Sequence, residues 1–157
     1  MNAIELLLSL VDEAFDRRAW HGTNLRGALR GIDARQASWR PGPGRHNIWE
    51  LALHAAYWKY AVRRRLTGEK RGSFELKGSN FFTRPGRDRR ERAWKADIAL
   101  LDRQHRQLRA VIAALPASTR LGKGKGGVTK AWLVAGIAAH DLYHAGQIQL
   151  LKRLSKG

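Results

Sequence analysis

From Trp94 to Leu115 the chain sets Trp94, Ile98, Leu101, His105, Leu108, Ile112 and Leu115 at spacings of 4, 3, 4, 3, 4 and 3. That alternation puts one side chain per turn on a single stripe, the pattern of a helix that buries one face against other helices. A half-buried strand would need a period of two, and no stretch of the chain shows one. The seam therefore commits the chain to packing helices side by side.

Three further stretches carry helical periodicity. The first runs from Ala3 to Leu29, with Leu7, Leu10, Ala14, His21, Leu25 and Ala28 on one stripe, disturbed at Gly22, and "RPGPG" stops it. The second opens at Asn47, where Asn47 and Glu50 stand in a capping-box spacing, and ends near Thr67 and Gly68. The helix carrying the seam starts in the same way at Asp88, with Glu91 three residues on, and Pro116 closes it. The segment "GKGKGG" then reads as a flexible link to Thr129, the N-cap of a last helix that runs to Leu154. The prediction is an all-α, single-domain four-helix bundle over residues 1–157. The connection from Gly68 to Arg87 is too long for a simple hairpin, so a crossover between the second and third helices is expected.

Charge and composition narrow the function. The chain has 30 Lys and Arg against 13 Asp and Glu, a formal charge of +17, which attracts polyanions or anionic small molecules. The charge is densest from Arg63 to Arg92 and in "RLGKGKGG", mostly connecting segments, where it reads as solvated surface. A nucleic-acid footprint would gather on one helix face or alternate with aromatics. There is no cysteine, so disulfides, thiol nucleophiles and thiolate ligands are all excluded. "MNAIELLLSLVDEAF" has no basic n-region, and "AWLVAGIAA" is about half the roughly 20 residues of a membrane span, which predicts a soluble cytoplasmic protein.

The chemistry concentrates in "AAHDLYHAGQIQLLKR". At 100° per residue, His140 and His144 share the inward stripe of Leu133, Ile137, Gln147 and Leu151 on the last helix. An imidazole among aliphatic side chains must be hydrogen-bonded or bound to an ion, and residues at i and i+4 can hold one ion between them. His54 points inward from the second helix beside Leu51, Trp58 and Ala61, and three inward histidines on two helices favour metal over three separately satisfied rings. "HDLYH" also matches the zincin H-E-x-x-H with Asp for Glu. The tail after His144 holds no His, Asp or Glu, so a third ligand has to come from upstream, which again favours His54. A ferritin-like di-iron site fails because Glu-x-x-His is absent.

The segments "AWHGTNLRGAL", "HNIWELALHAAYWKYAVRRRLTG" and "GIAAHDLYHAGQIQLLKR" resemble the DinB-like superfamily of four-helix-bundle proteins, which includes thiol-dependent S-transferases and isomerases. The resemblance implies a divalent metal on a triad of His54, His140 and His144, and a metal-dependent enzyme, a thiol S-transferase or a hydrolase. Three imidazoles suit Zn, Ni, Fe or Cu, with Zn or Ni expected. Without cysteine, the thiol would arrive as a low-molecular-weight cosubstrate, and one that carries carboxylates suits the basic surface. Among candidate catalytic helpers, Asp141 is a base beside the metal, and Glu50 orients His54 or its metal-bound water, or only completes the capping box at Asn47. His105 and Gln147 are candidate polar neighbours of the site; His21 is a similar inward group beside Gly22, and His46 falls in a loop. Tyr57, Trp58 and Tyr143 are candidate cavity walls. The competing readings are a basic nucleic-acid-binding module and a metal-stabilised bundle without catalysis, with a homodimer open in either case.

Overall fold

A computed structural model describes residues 1–117, 119 and 128–156. Among these the regular structure is entirely helical: α1 Ala3–Phe15, α2 Leu25–Leu29, α3 Ala34–Ser38, α4 Ile48–Thr67, α5 Glu91–Ala113 and α6 Lys130–Leu154. The four long helices α1, α4, α5 and α6 form the bundle, and α2 and α3 close one end of it.

Three of the four long helices begin at a side-chain cap. Asn2 caps α1 in a full capping box with Glu5, Asn47 accepts from the Glu50 amide at the start of α4, and Thr129 accepts from the Trp132 amide at α6. Gly68 ends α4 in the left-handed region at φ 79°, where a residue with a side chain would be strained. "GKGKGG" lies outside the described residues.

Two boundary expectations are corrected. The stretch from Ala3 to Leu29 is not one helix, because α1 stops at Phe15 and α2 restarts at Leu25. Asn24 draws the chain out of helix by accepting from the Gly27 amide and donating to the Arg17 carbonyl, and Gly22 sits at φ 97°. His21 falls in the break and faces solvent, Leu10 faces solvent from the outer side of α1, and Leu7, Ala14, Leu25 and Ala28 stay buried. The α5 helix is entered from Arg90 rather than from Asp88, whose carboxylate turns back to the Arg90 amide and guanidinium.

The core has two apolar clusters. One gathers Trp49, Leu53, Trp94, Leu101, Ile148 and the short helices; the other gathers Val11, Val62, Leu108, Ile112, Val134 and Ile137. Early α4 thus packs with early α5 and late α6, which makes α4 and α5 parallel and α6 antiparallel to both. Parallel neighbours require the expected crossover. Residues 68–90 supply it by running back along α4: the Gly72 amide donates to the Tyr60 hydroxyl, Asn80 meets His54 and Trp58, and the Arg84 amide donates to Glu50.

Between the clusters lies a polar waist. Lys59, Gln104, His105 and Asp141 are all buried, with Lys59 paired to Asp141 and its ammonium 4.7 Å from the centre of the Phe15 ring. No described helix is long and apolar enough to cross a membrane.

Candidate metal centre

His54 from α4 and His140 and His144 from α6 converge where these antiparallel helices face each other, and one nitrogen from each lies within 4.8 Å of the others. His140 Nε2 stands 3.1 Å from His54 Nε2 and 3.1 Å from His144 Nε2. Nitrogens bound to one zinc-like ion at roughly 2.0–2.1 Å are themselves about 3–3.4 Å apart, so the spacing fits a shared ion.

The outer nitrogens decide what the inner ones can be. His54 Nδ1 is 3.0 Å from the Asn80 carbonyl and His144 Nδ1 is 2.6 Å from Gln147 Oε1. Both oxygens only accept, so both Nδ1 atoms carry the hydrogen and both Nε2 atoms present lone pairs toward His140. A proton on His140 Nε2 can be donated to only one of them, which leaves two lone pairs facing each other. A cation at the convergence point satisfies all three at once, and the outer hydrogen bonds are the ones that metal-ligating imidazoles make. His140 Nδ1 is buried without a partner.

Burial also keeps the rings neutral. It lowers His54 to about 4 against the pull of the Asn80 carbonyl, with His144 adding to the fall. It lowers His140 to about 3, helped by His144, His54 and Lys59, and it lowers His144 against the hydrogen bond to Gln147. All three are therefore unprotonated at neutral pH, the form that binds metal.

The triad opens on a cleft of about 720 Å³ whose lining includes Arg45, His46, Trp58, Phe81, Tyr143 and Leu150. Phe81 is sandwiched between two imidazoles, parallel to His46 at 3.8 Å and to His54 at 4.0 Å. His46 donates from Nδ1 to Glu50 Oε2 at 2.9 Å, which leaves its Nε2 as the free nitrogen.

The predicted helpers are distributed as follows. Gln147 touches His144, and Trp58 and Tyr143 line the cleft, as expected of them. Tyr57 instead packs with Tyr60, Phe74 and Phe82 under the crossover. His105 stacks on Phe15 in the waist, and His21 is exposed. The Asp141 carboxylate is engaged by Lys59 in the waist, so it is not presented to the triad. Glu50 neither orients His54 nor completes the capping box: its carboxylate takes both terminal nitrogens of Arg40, the Arg84 amide and His46. Burial would raise that carboxyl, but these hydrogen bonds outweigh it and hold it at about 2.

Asn80, Phe81 and Lys59 are the residues that sequence reasoning missed. Asn80 and Phe81 lie in an irregular stretch with no period to read, and only the crossover's path carries them to His54. Lys59 had one available signal, since it shares the buried side of α4, but it precedes "RRR" and reads with the surface charge.

A family model described as the DinB superfamily matches residues 9–148. No curated protein and no solved structure matches the chain.

Proposed function

This chain belongs to the DinB superfamily, and from that premise we propose that it is a divalent-metal-dependent enzyme of the thiol S-transferase or hydrolase type, with His54, His140 and His144 as its ligands. The observation that carries the reading is the convergence of three neutral imidazole nitrogens at the floor of an open cleft. A structural zinc site would be closed by a fourth protein ligand, and among the described residues the cluster offers three.

A divalent ion on three neutral imidazoles keeps its +2 charge and supplies activation of a water or a thiol near neutral pH. The remaining work falls to the chain. Asn80 and Gln147 hold His54 and His144 in the tautomer that turns Nε2 inward. Phe81, Trp58 and Tyr143 wall the cleft with rings. Arg45 gives the cleft a positive charge suited to a small anionic substrate. His46, steered by Glu50, offers a free Nε2 to take the proton released by the nucleophile. With no cysteine in the chain, a sulfur nucleophile would come from a small thiol in solution. Asp141 and Glu50 receive no direct chemical role, because Lys59 and Arg40 already occupy their carboxylates.

Metal analysis of protein purified without a histidine tag tests the site. The expected result is a divalent ion near stoichiometry, lost in His144→Ala. If wild type carries no ion, and His144→Ala changes neither metal content nor melting temperature, the site reading fails. Consumption of a carboxylate-bearing thiol with an electrophile, abolished by chelation, tests the reaction. Chelation that lowers the melting temperature of a protein without turnover would leave a metal-stabilised bundle instead.

A further inference from the structure

The α6 helix differs from its neighbours in the face it turns to solvent. On α5 the exposed positions include Arg92, Lys95 and Arg106, as expected for a chain of net charge +17. From Ala131 to Leu151 on α6 the only Asp, Glu, Lys or Arg is Asp141, and it is buried. The exposed stripe reads Trp132, Gly136, Ala139, Tyr143, Gly146 and Leu150, with Trp132 at 65%, Tyr143 at 66% and Leu150 at 59% exposure. At 100° per residue these six lie within about 80° of one another, along roughly 27 Å of helix. A helix that is uncharged on every side is built to be covered on every side.

We infer that the cover is a second copy of this chain, with the two α6 helices packed antiparallel about a two-fold axis level with Asp141. The order of side-chain sizes points to this occupant. Ala139 and Tyr143, Gly136 and Gly146, and Trp132 and Leu150 form pairs placed symmetrically about Asp141. In an antiparallel pair related by a two-fold axis, each Tyr143 meets the partner's Ala139 and each Trp132 meets the partner's Leu150. Gly136 meets the partner's Gly146 where the backbones come closest. An isologous interface demands this self-complementarity, whereas an unrelated partner does not.

Charge agrees with the same choice. Two chains of this net charge repel over most of their surface, and this stripe is where they can meet with the least repulsion. A polyanion would be drawn to the basic segments and would gain nothing here. The stripe is also continuous with the metal cleft, since Tyr143 and Leu150 line it, and a second copy would add a wall to each cleft. The inference stands whether or not the histidines hold a metal.

The glycines allow a test that spares the fold. A Cβ added at Gly136 or Gly146 meets nothing within 4 Å, so larger residues there are accommodated in the single copy. Sedimentation equilibrium of the full chain should give the dimer mass for wild type and the monomer mass for Gly136→Glu with Gly146→Glu, with no loss of melting temperature. Gly136→Lys with Gly146→Glu should restore the dimer, because the antiparallel register sets each Lys against the partner's Glu, while a parallel register would set like charges together. The inference is overturned if wild type stays monomeric at about 100 μM, a concentration at which a micromolar dimer would be populated. It is equally overturned if the Glu pair remains dimeric, or if the Lys and Glu pair fails to restore the dimer.

Discussion

The outer nitrogen of His54 is held by the crossover: its Nδ1 donates to the backbone carbonyl of Asn80, 3.0 Å away. Asn80 is placed for this by two features of its own. It stands at φ 65°, a left-handed conformation that Asn tolerates better than most residues, and its side-chain oxygen accepts from Trp58 Nε1 at 3.0 Å. Asn80→Ala removes the Trp58 bond and adds strain at this φ, so the carbonyl that orients His54 is no longer fixed. Outer hydrogen bonds of this kind are worth about 10–100-fold in metal affinity, and a loss in that range is expected by competition with a chelating dye. Asn80→Gly keeps the backbone conformation and should lose less. Equal affinity in wild type and Asn80→Ala would show that the crossover does not tune the site.

The buried pair of Lys59 and Asp141 predicts a non-additive pair of substitutions. Lys59→Met leaves a carboxylate in the core without its cation and should cost about 3–5 kcal/mol in denaturant unfolding. Combining it with Asp141→Leu should recover most of that loss, since an ion pair replaced by apolar groups is often neutral or stabilising. If the double variant is as unstable as the single one, the pair does more than fill the waist with matched charge.

His105 makes folding sensitive to mild acid. Burial, with Lys59, Arg109 and Arg106 nearby, lowers it to about 3 from an ordinary value near 6.5. Above pH 6.5 it is neutral in both states and costs nothing. As pH falls from 6.5 toward 3, the unfolded chain takes up a proton that the folded chain does not, so stability declines by up to about 1.4 kcal/mol per pH unit. His105→Phe keeps a ring against Phe15 and should remove one such contribution from the slope between pH 6.5 and pH 3, leaving those of His54, His140 and His144. An unchanged slope would mean that the proton uptake belongs to other groups.

Glu50 acts in a lower window. Its carboxyl sits at about 2 in the folded protein against 4.5 unperturbed, so its contribution is complete above pH 4.5 and disappears as pH falls from 4.5 toward 2. Glu50→Gln should cost about 1–2 kcal/mol at neutral pH, a figure discounted because Arg40 opens to solvent, and much less near pH 2. Urea unfolding at pH 7 and pH 2.5 checks this. A cost independent of pH would show that shape, not charge, is what Arg40 and Arg84 recognise.

The bundle was legible because its signals are local. A seam such as Trp94, Leu101, Leu108 and Ile112 needs only the 3.6-residue turn to declare a buried face. Asn47, Gly68 and Thr129 mark helix ends through bonds that reach no farther than the adjoining turn. The break after Phe15 was legible only as a disturbance at Gly22, because the apolar stripe continues in the sequence across the segment that Asn24 draws out of helix. The length of the 68–90 connection was enough to imply a crossover, but not the residues it would lay on α4.

The sequence by itself determined which residue types could form a site. The i, i+4 spacing sets His140 above His144 on any α-helix, and the inward stripe that His54 shares with Leu51, Trp58 and Ala61 makes it the natural third member. Tertiary structure decided where the carboxylates went. Asp141 and Glu50 are both near a ligand in sequence, and neither is presented to the triad, because Lys59 and Arg40 reach them first from other elements. Sequence spacing fixes a direction around one helix axis, whereas an ion pair is fixed by where two helices meet, and that depends on the packing of the whole bundle.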